Sequence, residues 1–439
     1  MKRIFINIKE LAGIAPAGLL RRRGAEMSEF PSLENAWLST EDGVITGFGE
    51  MASCPLGTSC PDGSAGIAGG SAGSGSDFAG SGASDFDEVV DASGCFLLPS
   101  FCDSHTHIVY AGTREGEFID KINGLSYEEI AARGGGILNS ADLLHATSED
   151  SLYGQSLARV REMMAKGSGA IEIKSGYGLS TEDELKMLRV IRRLREAVPA
   201  VIRATFLGAH AVGRAYAGHK EDYVRLVCEE MLPAVAAEGL ADFVDVFCDE
   251  GFFTPEDTAK ILEAGARYGL RPKVHVDEIA VTGGMEVALR FGALSVDHLE
   301  RTGSAGIGLL KGSDTMPTML PGSSFFLGLP YGKARDFIGA GLGLALASDY
   351  NPGSSPSGDM RFVLAQGCIK MRLTPSQALN ACTLNGAYAM GASGLCGSIT
   401  VGKLANLILT EPLPSLGFIP YCYTTPFIRK HYLRGEAIA

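Results

Sequence analysis

At 439 residues, with 46 % hydrophobic and 20 % charged residues, the chain has the length for one large domain plus a smaller one and the balance of a globular protein. A net charge of −13 excludes roles that depend on a basic face, nucleic-acid binding above all, and no run approaches the roughly 20 apolar residues of a membrane helix. Ten cysteines scattered singly, with no C-x-x-C pair, argue against a disulfide framework and for a reducing compartment, the cytoplasm.

The chain opens on Met1-Lys2-Arg3-Ile4-Phe5-Ile6, which alternates like a strand and carries no signal-peptide core. Further short β pieces follow, such as Gly43 to Phe48. Residues 53–86 are dominated by Gly, Ser and Ala, a composition that builds no core and reads as a flexible surface insertion. From about 95 strand and helix signals alternate, with eight strands expected near 97–104, 169–175, 201–209, 242–248, 273–277, 294–298, 315–320 and 344–349. Thr181-x-x-Glu184 reads as a capping box, and Thr254-Pro255 and Thr374-Pro375 each place an N-cap before a proline at the first helical position. Eight strands separated by helices predict a parallel (β/α)8 barrel of the TIM type. The tail returns to β pieces such as Leu407-Ile408-Leu409. The expected organisation is a barrel over 95–392, with 1–94 and 393–439 joining into one small β-sheet (sandwich) domain.

The eight histidines carry the chemistry. His105 and His107 end the first barrel strand in Asp103-Ser104-His105-Thr106-His107, and period-2 alternation points both the same way. His210, His275 and His298 end later strands, and Asp349 ends the last. The C-terminal strand ends of a barrel meet at one face, where active sites are built. There His105, His107, His275 and Asp349 supply N, N, N and O to one metal ion with an open position for water. Glu278, three residues past His275, is placed as a proton shuttle, and His298 to polarise a carbonyl. Arg114, on the loop after the first strand, suits a substrate carboxylate. Tyr177 sits between Gly176 and Gly178 after the second strand, and Asn351-Pro352-Gly353-Ser354 forms a tight loop offering polar groups to a small substrate. His145, His219 and His431 read as surface or structural.

The ensemble resembles the metal-dependent amidohydrolase superfamily and, within it, the imidazolonepropionases of histidine degradation. The motifs that carry the resemblance are Asp103 to His107 with Ala111 to Arg114, Arg133-Gly134-Gly135-Gly136-Ile137, Glu172 to Leu179, Leu207 to Ala211, Val274 to Glu278 and Ser348 to Gly353. The resemblance implies the same ligand set, one divalent ion that is zinc or iron, and hydrolysis of 4-imidazolone-5-propanoate to N-formimidoyl-L-glutamate. It places Arg114, Tyr177, His210, Glu278, Asn351, Gly353 and Ser354 against the substrate and His298 near the reacting carbonyl, with Asp349 or Glu278 moving the proton. It also implies a homodimer. Asn406 departs from the pattern, standing where the superfamily usually has Asp. Two other readings compete: a deaminase of the same superfamily acting on a nucleobase-like ring, and a non-catalytic relative. A carboxylate-binding Arg114 and the intact ligand set weigh against them.

Overall fold

The computed structural model describes residues 1–56, 85–125 and 135–438. Most of the Gly/Ser-rich segment, and Arg133 and Gly134 of the Arg-Gly-Gly-Gly-Ile motif, lie outside the described residues. Sixteen strands fall into two sheets among them.

The first sheet is mixed and joins the two ends of the chain. It comprises β1 (Lys2–Ala12), β2 (Ser32–Glu41), β3 (Val44–Glu50), β4 (Glu88–Asp91), β5 (Cys95–Pro99), β14 (Leu407–Pro412), β15 (Ile428–Leu433) and β16 (Glu436–Ala437). Its order is β16-β15-β14-β5-β1-β2-β3, with β4 also on β1. Cys95 and Leu97 alternate onto one face of β5, where they meet Phe5, Ile8 and Leu11 of β1, whose register shifts between Phe5 and Ile8, together with Leu38, Leu407 and Tyr432. Phe5 and Tyr432 pack edge to face at 5.0 Å. Each large side chain buried there contributes on the order of 2 kcal/mol.

The second sheet is the barrel: β6 (Phe101–Asp103), β7 (Ser168–Lys174), β8 (Val201–Ala209), β9 (Phe243–Cys248), β10 (Arg271–Val276), β11 (Ser295–His298), β12 (Met316–Met319) and β13 (Ala345–Leu346), in sequence order. Every pairing between neighbours is parallel. The gap between the first and last strands is closed just beyond their ends: Asp349 N donates to His105 O at 3.0 Å and His107 N to Tyr350 O at 2.9 Å. Asp103 seals it by accepting from Ser348 N at 3.0 Å and Ser348 Oγ at 2.5 Å. No helix among the described residues is long and apolar enough to cross a membrane.

Two local expectations are corrected. The strand expected over 97–104 is split at Ser100, with Cys95–Pro99 in the mixed sheet and Phe101–Asp103 in the barrel. Pro99 has no N–H to continue a ladder, and Ser100 N instead donates across to Asn406 O at 2.9 Å. The segment is thereby a covalent strap between the sheets. Asn406 completes it, donating to Gly169 O and accepting from Arg434 N. The helix Thr181–Ala197 is capped by Ser180, whose hydroxyl accepts from Asp183 N. Ser180 leaves Thr181 inside the helix and frees Glu184, which turns back to accept from Gly176, Gly178 and Leu179 N–H groups and so holds the loop around Tyr177. Thr254 and Thr374 cap their helices ahead of a proline at the first helical position, as expected, and do so in full capping boxes with Asp257 and Gln377.

Candidate metal centre

The strand ends bring His105, His107 and His275 together, their ligand nitrogens mutually within 4.8 Å, and His105, His298 and Asp349 form an overlapping group. His105 Nε2 lies 3.2 Å from His107 Nε2, and Asp349 Oδ1 lies 3.5 Å from each. The far side of two of these rings is tied down. His105 Nδ1 is 2.7 Å from Asp297 Oδ2, and His275 Nδ1 is 3.1 Å from Asp245 Oδ1. A ring nitrogen facing a carboxylate carries the proton, so Nε2 of each presents a lone pair to the centre. His275 Nε2 is buried and has no hydrogen-bond partner. Buried polar atoms are rarely left so, and this one is aimed where three other donors converge; the residues fit a divalent ion. Burial, reinforced by Lys174 and His275 near His105 and by His210 and His275 near His107, holds both imidazoles well below their usual pKa, in the neutral form that ligation needs.

Around this cluster the backbone adopts a conformation rare for side-chain-bearing residues: Asp349 has φ +52°, His298 +88° and Leu299 +71°. His298 lies between two carboxylates, its Nε2 3.6 Å from Glu278 Oε2 and its Nδ1 3.6 Å from Glu300 Oε2. Burial opposes its charge, but Glu278 and Glu300 prevail and hold its pKa up to about 10. Burial pushes Glu278 up to about 7, against the pull of His298. An imidazolium and a carboxyl that titrates near neutrality thus face the same space.

The remaining predicted residues ring this space. His210 stacks on His107 at 5.2 Å, its Nδ1 3.0 Å from Gly176 O, and Tyr177 packs against it at 5.3 Å. Gly176 has φ +112°, and a Cβ there would press on His210 Nδ1 at 3.0 Å. Arg114 is nearly buried, and its Nε and Nη2 edge is taken by Glu117 Oε2 at 3.0 and 2.6 Å. Its Nη1 faces Gly353 so closely that a Cβ would sit 2.2 Å away. Asn351 shapes that loop: its Oδ1 accepts from Gly353 N and Ser354 N, and its Nδ2 donates to Asp349 O and Ser354 Oγ. Ser354 Oγ is 3.4 Å from Asp349 Oδ2, which also accepts from Ser323 Oγ. His145 and His219 are exposed and His431 is a buried structural residue.

Sequence reasoning missed the carboxylates behind the ligands, Asp245 and Asp297, and Asp249, which accepts from the N–H groups of Glu278, Ile279 and Ala280 and anchors the Glu278 loop. A signal was present: Phe243-Val244-Asp245-Val246-Phe247 is an apolar strand with an acid at its centre, a position that stays buried only with a partner.

The chain belongs to the amidohydrolase family, whose profile matches residues 96–430. Solved structures share the fold at low identity. Guanine deaminase from E. coli superposes with a TM-score of 0.71 at 13 % identity, over 100 % of this chain and 99 % of that one. An adenosine deaminase from Xanthomonas campestris with bound zinc gives 0.66 at 14 % identity, over 99 % and 92 %. Within the family, the chain groups with the imidazolonepropionases. It is 49 % identical to the imidazolonepropionase of Flavobacterium psychrophilum over 100 % of both chains, and 49 % identical to that of Flavobacterium johnsoniae over 98 % of both. The imidazolonepropionase of Geobacillus kaustophilus is 44 % identical over 76 % of this chain and 79 % of its own.

Proposed function

We propose that this chain hydrolyses 4-imidazolone-5-propanoate to N-formimidoyl-L-glutamate with one divalent ion, zinc or iron, held by His105, His107, His275 and Asp349. The observation that carries the reading is the orphaned His275 Nε2 converging with His105 and His107, with Asp349 Oδ1 3.5 Å from Nε2 of each of those two. The names of the full-length relatives supply the substrate.

A bound ion supplies Lewis acidity toward the attacking water and the ring carbonyl. The chain's own residues do the rest. Arg114, through the Nη1 edge that Glu117 leaves open, holds the propionate and orients the ring. His210, Tyr177, Gly353 and Ser354 shape the pocket, and Asn351 holds the loop that contributes the last two. Glu278, with Asp349 beside it, takes a proton from water and returns it to the ring nitrogen as the carbon–nitrogen bond breaks. Water's oxygen ends on the former carbonyl carbon as a carboxylate. His298, positively charged, stabilises the negative charge that develops on oxygen.

The barrel over 95–392 acts as the catalytic domain, and 1–94 with 393–439 as the small domain; the strand pairings support this division except at Cys95–Pro99, which pairs with β1 and β14 of the small domain's sheet. The family resemblance supports a homodimer acting in the cytoplasm on a small molecule. Incubation with 4-imidazolone-5-propanoate generated in place from urocanate tests the activity. The expected result is loss of its ultraviolet absorbance with appearance of N-formimidoyl-glutamate. No loss by folded, metal-loaded protein would overturn the substrate, and ammonia release from a nucleobase would point to the deaminase reading.

A further inference from the structure

Beneath the proposed ligands the barrel interior holds five buried charged side chains: Glu172 and Lys174 of β7, Asp245 of β9, Lys273 of β10 and Asp297 of β11. Charges so placed persist only when paired and hydrogen-bonded. Lys174 Nζ donates to Glu172 Oε1 at 2.7 Å and to Asp245 Oδ2 at 2.8 Å, and lies 3.7 Å from Asp297 Oδ2. Asp245 turns its other oxygen to His275 Nδ1, and Asp297 Oδ2 meets His105 Nδ1. One ammonium therefore hydrogen-bonds the carboxylate that orients His275 and lies within ion-pair distance of the one that orients His105, whose Oδ1 accepts from Ser295 Oγ at 2.6 Å. Lys273 has a different set of partners: Glu172, the carbonyls of Ser104 and Ala389 at 2.9 and 3.1 Å, and Asp297 at 3.7 Å.

We propose that Lys174 is a positioning residue for the metal centre, fixing Asp245 so that Asp245 fixes the ring of His275 and thereby sets the affinity for the ion. The inference rests on the metal reading above. The physical reason is orientational. A carboxylate anchored at one oxygen has one direction left for the other, and a ring held at Nδ1 has one direction left for Nε2. Without the ammonium, Asp245 keeps its charge in a buried space and turns to whatever donor remains, taking the His275 ring with it. Three carboxylates against two ammonium groups also leave the floor of the site net negative, which favours a dication above it.

The test is Zn2+ affinity of the full chain, stripped of metal and titrated in competition with a chromophoric chelator. Lys174→Met is expected to weaken Zn2+ binding by about 10- to 100-fold, the range for residues that orient metal ligands from behind. At saturating Zn2+ its KM is expected to match that of the parent protein. A folded Lys174→Met protein binding Zn2+ within twofold of the parent would overturn the proposal. Where Lys174→Met fails to fold, Glu172→Gln decides. It leaves both histidine–carboxylate pairs in place and removes an anchor of Lys174. A tenfold weaker Zn2+ affinity supports the relay, and an affinity within twofold overturns it. Parent protein that binds no Zn2+ would overturn the metal reading and this inference together, which separates that failure from the others.

Discussion

His275 and His431 are both buried, at 2 % and 3 % exposure, but only one of them has both ring nitrogens answered. At the seam between the two sheets, His431 sits 2.7 Å from Ser100 Oγ through Nε2 and 2.7 Å from Met164 O through Nδ1. At the mouth of the barrel, His275 is held through Nδ1 by Asp245 and its Nε2 meets nothing. Burial alone does not distinguish a ligand from a structural residue; the second nitrogen does. The seam is complete as folded. The mouth is shaped for something that the chain does not itself provide.

The sharpest way to break this contrast is to remove that something. Chelation of the metal is expected to abolish turnover and leave the fold intact, with activity restored by a divalent ion; His275→Ala is expected to lose activity beyond such rescue. Steady-state turnover beside circular dichroism checks both. Glu278→Gln is expected to lower kcat by about a hundredfold to ten-thousandfold, the range for a general acid–base group; turnover within twofold of the parent would remove Glu278 as the shuttle. Arg114→Met is expected to lower kcat/KM by about 10- to 100-fold, mostly through KM, because a charge-assisted contact to the propionate is lost. A substrate analogue without the carboxylate should be handled equally by both proteins.

The smallest effect falls at the seam and appears in stability. Burial, partly offset by the Met164 carbonyl, holds His431 down to about 4 from an ordinary 6.5. The unfolded chain therefore takes up a proton that the folded one refuses. The contribution of His431 is complete above about pH 6.5 and is lost as pH falls toward about 4. Between pH 7 and pH 5 the loss is about 2 kcal/mol. His431→Gln should flatten that part of the urea-denaturation profile and leave turnover at neutral pH unchanged.

The contrast also explains what was legible in the sequence. Strand ends bearing His105, His107, His275 and Asp349 are visible as apolar runs that stop at a polar residue, and a parallel barrel converts three such stops into one site. The shared sheet of the two chain ends was equally legible from their β patterning. The break at Ser100 was not, because Pro99 interrupts the ladder without interrupting the apolar run. Nor was the exchange of caps at Ser180, where two adjacent hydroxyls compete for one role and the tertiary demand on Glu184 decides. The buried floor is half legible. Lys273 and His275 share a face by period 2, and Asp297 pairs with His275 in register, but only the folded barrel shows that Lys174 lies between Asp245 and Asp297. Arg114 was recognisable as a cation at the mouth, while its engagement by Glu117 depends on a helical i,i+3 contact that follows it.

The measurement that tests the central claim most directly is a metal titration of stripped protein, with turnover of 4-imidazolone-5-propanoate followed at each step. The account predicts no turnover without metal and a rise that saturates at one equivalent of zinc or iron. Full turnover by the stripped protein, or none by the loaded and folded one, would contradict it.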